Sequence, residues 1–366
     1  MRVASKRIHE QLVSVFRAWG MADAHANTTA DVMVETDVRG VDSHGISMLP
    51  TYDNEFRAGR LNMTPTYKTV RENAATAVID ADASLGHPVS VYAMNLAVDK
   101  CLQAGVGMVA VRNSHHFGAA GCYARIAADR GVIGMVTSAT RGVTMVPTFG
   151  AEPVLGTNPL AFAAPAKRNA PFLLDMATTT VAAGKVKVYK LNHKPLPAGW
   201  VVDADGKTVT DEREAFGYVF EKKDGGITPL GGSRDVGSHK GYGLGVMVHI
   251  LAGTLAGASF SPIRNKTQKP SDPHDIGHWF MAIDPRAFRD EGAFEDDLDQ
   301  VIDILHATRR ADPHQPVLVA GDPELLTRAE RLEQGVPVPD DLMDQLRAVV
   351  ERARVPFVLA EKGASR

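Results

Sequence analysis

The middle of the chain alternates short apolar runs with helical patterns, and this alternation constrains the fold more than any other feature. Runs with the length and composition of β-strands cover residues 75–81, 106–111, 132–137, 160–164, 172–174 and 279–283. Helical patterns between them cover residues 90–104, 119–129 and 177–188, and an apolar helix begins near Lys240. Such a mixture predicts an α/β or α+β domain.

Both ends of the chain have helical patterns instead. Ile8, Leu12 and Phe16 recur on one helical face, and Gly20 favours a stop after it. Further helices are predicted over residues 23–37, 294–308, 324–334 and 340–353. Because 366 residues exceed what one hydrophobic core usually supports, we predict two domains. Residues 1–72 and 286–366 would form a helical domain, and residues 73–285 a mixed domain.

The charge balance argues against some classes of partner. With a formal net charge of −3 and no run of five basic residues, neither nucleic acid nor a membrane surface is an expected partner. The apolar segment 244–260 contains His249 and several glycines, which favours a buried helix over a membrane span. The N-terminus lacks the apolar core of a secretory signal, and Cys101 and Cys122 suit a reducing compartment. A cytoplasmic location is therefore expected.

The loop Gly40-Val41-Asp42-Ser43-His44-Gly45 lies between two helical patterns and carries the first candidate for chemistry. Histidine changes charge near neutral pH, which suits proton transfer. The pattern that follows places His44 at the start of a third helix, where free N–H groups favour an anionic ligand. A purely structural histidine in a glycine-rich turn is the alternative.

A second candidate follows the strand at residues 106–111, where His115 and His116 stand side by side. Ligands bind at strand ends in α/β proteins, so one of the two is expected to face a cleft as an acid/base group. A solvated turn is the alternative. Because no His or Cys lies three or four residues away to complete a helical pair, no metal site is predicted.

Three more polar sites lie at element boundaries. Asp175 ends an apolar strand, where it either orients an imidazole or caps a helix beginning at Ala177. Lys240 opens a helix beside glycines, as a phosphate or carboxylate ligand or as a surface lysine. The turn at residues 156–159 offers Thr157 and Asn158. Together with the histidines, these sites indicate a small-molecule enzyme without naming its reaction.

A G-x-G-x-x-A string occurs at residues 105–110, but in the wrong context for a dinucleotide site. It ends a helix and enters a strand, whereas the dinucleotide fingerprint leaves a strand and enters a helix. We therefore predict no Rossmann site there.

Taken in order, the motifs resemble the malate/L-lactate dehydrogenase family that lacks a Rossmann fold. Members of that family include ureidoglycolate and sulfolactate dehydrogenases, diketogulonate reductase and piperideine-carboxylate reductase. The matching strings span nearly the whole chain and occupy residues 42–45, 112–118, 155–159, 175–178, 184–186, 197–200, 240–243 and 282–285.

The resemblance implies a mixed-sheet cofactor domain of the L-sulfolactate dehydrogenase type, NAD or NADP as hydride carrier, and a homodimer. It implies His44 and His116 as acid/base candidates, with Ser43 or Asp175 orienting the imidazole. Cofactor contacts are expected from Arg141, Thr157, Asn158, Asp175, Met176, Ala177, His239, Lys240 and Gly321. Substrate contacts are expected from Met48, Tyr52, His115 and Arg141.

One departure from the family concerns the substrate carboxylate. The family usually has arginine four residues after the loop histidine, and here that position is Met48. A methionine cannot pair with a carboxylate. Either Arg57, Arg60 or Arg141 substitutes, or the substrate is bulkier and more apolar, as in broad-specificity hydroxycarboxylate dehydrogenases of the family.

The predicted reaction is reversible hydride transfer between NAD(P)H and a 2-oxo acid, which gives a 2-hydroxy acid. His44 or His116 would exchange the proton on the substrate oxygen. A cyclic ketimine reductase that uses NADPH is the alternative enzyme, and a non-catalytic sensor of a dinucleotide or 2-oxo acid is a remote alternative. NAD and NADP are not distinguished, because no ribose-reading residue can be placed outside a Rossmann frame.

Overall fold

The computed structural model of the protein describes residues 1–360. Its α-helices are α1 (Ser5–Ala18), α2 (Asp23–Val38), α3 (Leu49–Arg57), α4 (Gly86–Ala104), α5 (Gly121–Asp129), α6 (Ala183–Leu191), α7 (Glu212–Phe220), α8 (Ser238–His249), α9 (Ser261–Arg264), α10 (Ala293–Ala307), α11 (Asp322–Gln334) and α12 (Asp340–Ala353). Its strands are β1 (Arg2–Val3), β2 (Lys68–Glu72), β3 (Thr76–Asp80), β4 (Val106–Ser114), β5 (Ile133–Ala139), β6 (Leu160–Ala164), β7 (Phe172–Met176), β8 (Val201–Val202), β9 (Thr208–Val209), β10 (Gly226–Ile227), β11 (Ile276–Ile283) and β12 (Val336–Pro337).

Seven strands form one mixed sheet in the order β2-β3-β4-β11-β5-β6-β7. Within this sheet β3 and β4 are parallel, and the other five neighbouring pairs are antiparallel. A Rossmann sheet is mostly parallel, with a helix after each strand. The predicted α/β class with a mixed, non-Rossmann sheet is therefore confirmed.

Helices cover both faces of this sheet, because the central strands bury alternate side chains on opposite sides. On one face α4 and α5 pack over Val109, Val136 and Phe280. Gly107 permits this contact, since a Cβ there would lie 1.9 Å from a carbonyl oxygen of α4. On the other face, the π-helical turn that follows α8 packs over Trp279.

The two chain ends share a second core. Buried side chains of α1, α2 and α3 pack with those of α12, among them Phe16, Met33, Tyr52 and Leu346. Strand β2 lies in the large sheet although it precedes residue 73. The division at residues 72/73 and 285/286 stays a prediction, and residues 361–366 of its C-terminal part lie outside the described residues.

Two local predictions were wrong. The helix expected to begin at Ala177 begins at Ala183, because the main-chain N–H groups of Thr178 and Thr180 donate to the Thr157 and Thr228 carbonyls and not within a helix. His44 is not in the first turn of a helix. It lies in a bend before a 3₁₀ turn at Ile46–Met48, and α3 follows that turn. Within residues 1–360 no helix is both long and apolar enough to cross a bilayer.

Candidate active site

The loop that carries Ser43 and His44 is clamped at both ends. The buried Asp37 carboxylate at the end of α2 accepts the Ile46 N–H at 2.8 Å. Gly45 leaves room for this carboxylate, because a Cβ there would lie 1.9 Å from Asp37 Oδ1. On the other side Arg331 of α11 pairs with both oxygens of Asp42. The loop therefore holds His44 in one position.

Within the loop, Ser43 Oγ lies 2.7 Å from His44 Nδ1. The first turn of α6 approaches from the other side, where a Cβ on Gly184 would lie 3.7 Å from Ser43 Cβ. Burial lowers the pKa of His44. A neutral imidazole with one nitrogen held by a hydroxyl is a group ready to accept a proton.

His116 lies opposite His44, with 5.4 Å between the ring centroids. The Tyr52 hydroxyl lies 2.7 Å from His116 Nδ1, and the Gly118 N–H donates to the same nitrogen at 3.3 Å. Because that nitrogen accepts a main-chain N–H, the neutral ring carries its proton on Nε2. Burial lowers the pKa of His116 well below its usual value, and repulsion from His44 and His87 adds to the effect.

Tyr52 lies behind His116. It is 1% exposed, and its hydroxyl also lies 3.5 Å from His87 Nε2. This position suits the orientation of the imidazole, whereas the sequence prediction placed Tyr52 against the substrate. That predicted contact stays a prediction.

Sequence reasoning missed His87 and His278. His87 begins α4 and is fully buried beside Tyr52. His278 lies in β11, where its Nδ1 is 2.9 Å from Ser138 Oγ and its Nε2 donates to the His115 carbonyl at 3.1 Å. The His278 ring also stacks on Phe117 at 4.4 Å. Neither histidine lies in a local motif, so only the fold reveals that both support the segment around His116.

His115 and His116 are neighbours in sequence but belong to different clusters. The buried His115 ring stacks on His274 at 4.8 Å, and Glu55 lies close to both. Single ligand atoms of these three residues lie within 4.8 Å of one another. Spacing could not find this group, because its members come from three distant segments. The absence of a metal site therefore stays a prediction.

Family members usually have an arginine at the position of Met48, and the three arginines proposed to replace it here have different surroundings. Met48 packs against the core of the chain ends. Arg57 is half-exposed and donates to Asp53 and Asn54. Arg60 pairs with Glu55 at 2.9 Å. Arg141 donates to the neutral Gln268 side chain at 2.7 Å.

Main-chain hydrogen bonds join the segments that carry Thr157, Met176, Ala177 and Lys240 into one surface, which we call the cofactor wall. Thr178 N donates to the Thr157 carbonyl, Leu230 N to the Thr178 carbonyl, and Gly241 N to the Leu230 carbonyl. Met176 and Ala177 precede this junction, and Lys240 lies in it. The turn, the end of β7 and the start of α8 therefore form a continuous surface.

Asn158 supports this wall from inside. It is 1% exposed, its Oδ1 accepts the Thr140 N–H, and its Nδ2 donates to the Gly245 carbonyl at 2.9 Å. With both ends of its amide used by the protein, Asn158 ties the turn to α8. The direct cofactor contact expected of it stays a prediction.

Asp175 has neither of the two neighbours expected of it. No helix begins at Ala177, so the capping alternative was wrong for that helix. Its Oδ2 instead accepts the Gly121 N–H at 2.8 Å, which places the carboxylate at the N-terminus of α5. Its hydrogen-bond partner is thus a main-chain group, and an imidazole contact is absent among the described residues.

The remaining cofactor candidates lie at both edges of this region. His239 is exposed and lies 3.1 Å from Arg234, and Lys240 is exposed beside it in the first turn of α8. Gly321 is buried at the start of α11, with φ +107°, and a Cβ there would meet Leu173 of β7 at 3.3 Å.

These residues fit a nicotinamide dinucleotide. An exposed lysine at the start of a helix suits a diphosphate, and the Asp175 carboxylate suits ribose hydroxyls. Gly237 before α8 has φ +107°, a conformation that favours glycine. The Ser238, Lys240 and Gly241 N–H groups already donate to main-chain carbonyls, so Lys240 is the group at this helix start that could bind a phosphate.

Comparisons with known proteins identify the family of this chain. The sequence profile of the malate/L-lactate dehydrogenase family matches residues 3–347. The chain is 37% identical to a malate dehydrogenase of Pyrococcus horikoshii, over 97% of this chain and 96% of the relative. It is 35% identical to an L-sulfolactate dehydrogenase of Methanocaldococcus jannaschii, over 92% and 93%. It is 29% identical to an NAD(+) ureidoglycolate dehydrogenase of Escherichia coli O157:H7, over 94% and 95%.

Solved structures show the same fold. A malate dehydrogenase from Entamoeba histolytica superposes with a TM-score of 0.92 at 32% identity, and the match covers 97% of this chain and 99% of that one. A Δ1-piperideine-2-carboxylate reductase from Pseudomonas syringae superposes with a TM-score of 0.81 at 26% identity, over 95% and 99%.

Proposed function

The chain belongs to the malate/L-lactate dehydrogenase family, and from this premise we propose that it interconverts a 2-hydroxy acid and a 2-oxo acid with NAD or NADP. The observation that carries the proposal is the facing pair His44 and His116, whose ring centroids are 5.4 Å apart. An oxidoreductase acting on hydroxy acids also agrees with the names of the relatives.

The bound nicotinamide would supply the hydride acceptor for oxidation and the hydride donor for reduction. The Lys240 side chain at the start of α8 would hold its diphosphate, and Asp175 its ribose. Met176 and Ala177 would line the same surface. Activity assays with NAD and with NADP would distinguish between the two cofactors.

The two histidines are proposed to divide the work. Ser43 holds Nδ1 of His44, which leaves His44 Nε2 to take the hydroxyl proton during oxidation and return it during reduction. His116 keeps its proton on Nε2, because Gly118 donates to Nδ1. His116 would therefore donate a hydrogen bond to the substrate oxygen and stabilise its developing negative charge.

The lowered pKa values support these roles. Burial keeps both rings neutral near pH 7, so His44 accepts a proton without first losing one. Tyr52 and His278 would position the rings and would not touch the substrate.

A homodimer in the cytoplasm completes the proposal. Exposed apolar side chains near α8 and α9, including Ile250, Leu255 and Ile263, support a subunit interface on that face. Cys101 and Cys122 are free thiols, which agrees with a reducing compartment. Light scattering of the purified protein measures the oligomeric state directly.

The division of work is tested by glutamine and alanine variants of both histidines. Alanine at either position should lower kcat about 10²–10⁴-fold with cofactor affinity retained. His116→Gln should recover part of that loss, because the glutamine amide can donate from nearly the same place as Nε2. His44→Gln should recover nothing, because it cannot exchange a proton. Full activity in both alanine variants would contradict the proposed site, and the opposite ranking of the glutamine variants would exchange the two roles.

The choice of substrate distinguishes a ketimine reductase from a 2-hydroxy acid dehydrogenase. Steady-state assays with oxaloacetate, phenylpyruvate and piperideine-2-carboxylate, each with NADH and NADPH, rank the two reactions. Reduction of the imine alone would favour the alternative. Tight cofactor binding without turnover of any of these compounds would indicate a sensor.

A further inference from the structure

Three arginines lie around the stacked rings of His115 and His274, and we call Arg60, Arg141 and Arg264 the arginine cluster. Burial lowers the pKa of His274 to about 3, with repulsion from His115 and all three guanidiniums adding to it. The cluster therefore concentrates positive charge in a poorly solvated place.

The cluster adjoins the proposed active site. His274 lies close enough to His116 for electrostatic repulsion between the two rings. His115, which Arg60 and Arg264 repel, directly follows β4 and precedes His116. The positive charge is thus close to His116 of the proposed active site.

Only one member of the cluster has an anionic partner within 4 Å among residues 1–360. Arg60 pairs with Glu55 at 2.9 Å and donates to the Pro270 carbonyl at 2.5 Å. Arg141 has the neutral Gln268 as partner, at 2.7 Å, and Arg264 has the neutral Ser261, at 2.8 Å.

Arg264 also lies near Asp275, but this carboxylate is already in use. Attraction to Asp275 favours the charged form of Arg264, whose Nη1 reaches only the Asp275 main-chain carbonyl, at 3.5 Å. The two carboxylate oxygens accept the N–H groups of Asn113 and Ser259. Asp275 therefore leaves the guanidinium without a paired oxyanion.

Arg141 and Arg264 also have unsatisfied donors. Arg264 is 9% exposed, and the Nε atoms of both residues are buried without a hydrogen-bond partner. A buried N–H on a cation is costly when no acceptor meets it. A carboxylate is the natural partner of a guanidinium, because its two oxygens match the planar fork of donors.

A metal ion suits this place less well than an anion. Glu55, His115 and His274 are close together, but each already has a hydrogen-bond or ion-pair partner. Arg60 donates to Glu55, and His274 Nε2 lies 3.2 Å from Glu55 Oε2 and 3.4 Å from Arg60 Nη1. The main-chain N–H of His274 donates to His115 Nε2 at 3.4 Å. The three guanidiniums would also repel a cation.

We propose that Arg141 and Arg264 bind a second acidic group of the substrate, so that the enzyme selects 2-oxo and 2-hydroxy acids with two acidic groups. The proposal rests on the proposed function. The acidic group would be the one remote from the reacting carbon, because Arg141 and Arg264 lie near His274, whereas His44 and His116 form the pair that handles the substrate oxygen.

The test compares substrates with one and two acidic groups in Arg141→Met and Arg264→Met. The value of kcat/KM for oxaloacetate should fall about 10–100-fold in each variant, as expected for the loss of hydrogen bonds to a charged group. The value for pyruvate should change less than about threefold. Arg141→Lys, which keeps the charge without the planar fork, should retain part of the oxaloacetate activity.

Arg57→Met is the matched control, because Arg57 is half-exposed and pairs with Asp53. It should leave the oxaloacetate/pyruvate ratio unchanged. Succinate, which cannot be reduced, provides a readout that does not need turnover. It should raise Tm of the wild type but not of Arg141→Met or Arg264→Met. Both variants should be at least as stable as the wild type without ligand, since each loses an unpaired buried charge.

Several outcomes would overturn the proposal. An equal fall with pyruvate would mean that the arginines hold the carboxylate common to all substrates. An unchanged oxaloacetate value, or the same succinate shift in the variants, would exclude a role in binding. Loss of activity in EDTA with recovery on adding Zn²⁺ would make the cluster a metal site. No turnover of any 2-oxo acid by the wild type, with a normal succinate shift, would defeat the proposed function and leave the anion site standing.

Discussion

At the residue scale, the proposed role of each histidine depends more on the residues around it than on its position in a sequence motif. His115 and His116 are adjacent, yet one stacks on His274 among arginines and the other faces His44. His278 belongs to no motif, yet it bonds to the His115 carbonyl. The proposed proton chemistry therefore depends on contacts between segments that are distant in sequence.

Tyr52 gives the sharpest prediction at this scale. Tyr52→Phe removes a buried hydroxyl that lies 2.7 Å from His116 Nδ1 and 3.5 Å from His87 Nε2. We expect kcat to fall about tenfold with little change in KM, because His116 loses orientation and not substrate contact. Unfolding free energy should drop by about 1–3 kcal/mol, because buried nitrogens lose a partner.

Steady-state kinetics and urea unfolding check this expectation. The exposed Tyr92→Phe is the control, and it should change neither quantity. A rise in KM without a loss of kcat would instead support the substrate contact that the sequence predicted for Tyr52.

At the element scale, the loop between α2 and α3 functions as a rigid clamp. Asp37 binds the first N–H of the 3₁₀ turn, and Arg331 binds Asp42 from α11. A helix from the C-terminal part of the chain thus fixes a loop from the N-terminal part. The rigidity of His44 depends on both chain ends.

Gly45 tests this clamp. A Cβ at this position would lie 1.9 Å from Asp37 Oδ1. Gly45→Ala should therefore displace the Asp37 carboxylate or the loop, with an activity loss of about tenfold or more and a destabilisation of about 1–3 kcal/mol. Crystal structures and urea unfolding of the variant measure the displacement and its cost.

Gly243→Ala in α8 is the matched control for stability. A Cβ at that position meets nothing within 4 Å, so alanine should be neutral or stabilising by up to about 1 kcal/mol. Wild-type activity in Gly45→Ala would show that the loop adapts freely and is not a clamp.

At the scale of the whole molecule, buried histidines should make stability depend on pH. Burial lowers the pKa of His87 and of His278 to about 3, below the ordinary value of 6.5. Between pH 6.5 and 3 the unfolded chain therefore binds protons that the folded chain does not. Their contribution to stability is present above pH 6.5 and is lost as pH falls.

His87→Gln measures this contribution. Each such histidine adds a slope of up to about 1.4 kcal/mol per pH unit to the unfolding free energy below pH 6.5. The variant should lose stability less steeply than the wild type between pH 6.5 and 5, as followed by urea unfolding. The exposed His314→Gln should keep the wild-type slope, and equal slopes in all three proteins would refute the prediction.

The sequence by itself determined the elements and their class. Apolar runs of strand length and helical periodicities depend on local pattern, so the strands from β3 to β7 and the terminal helices were predicted within a few residues. The motifs also identified the family and predicted His44 and His116 as acid/base candidates, and the structure places their rings face to face. These features are readable because each depends on residues close together in the chain.

Only the tertiary structure decided what these residues meet. The start of α6 moved because Thr178 and Thr180 bond to distant segments, and Asp175 binds the N-terminus of α5 instead of an imidazole. The arginine cluster draws on three distant segments, and Arg264 belongs to no motif. Burial, hydrogen bonds and summed charge depend on how residues are arranged in three dimensions and not on their separation along the chain. They decide which polar groups remain free for a substrate.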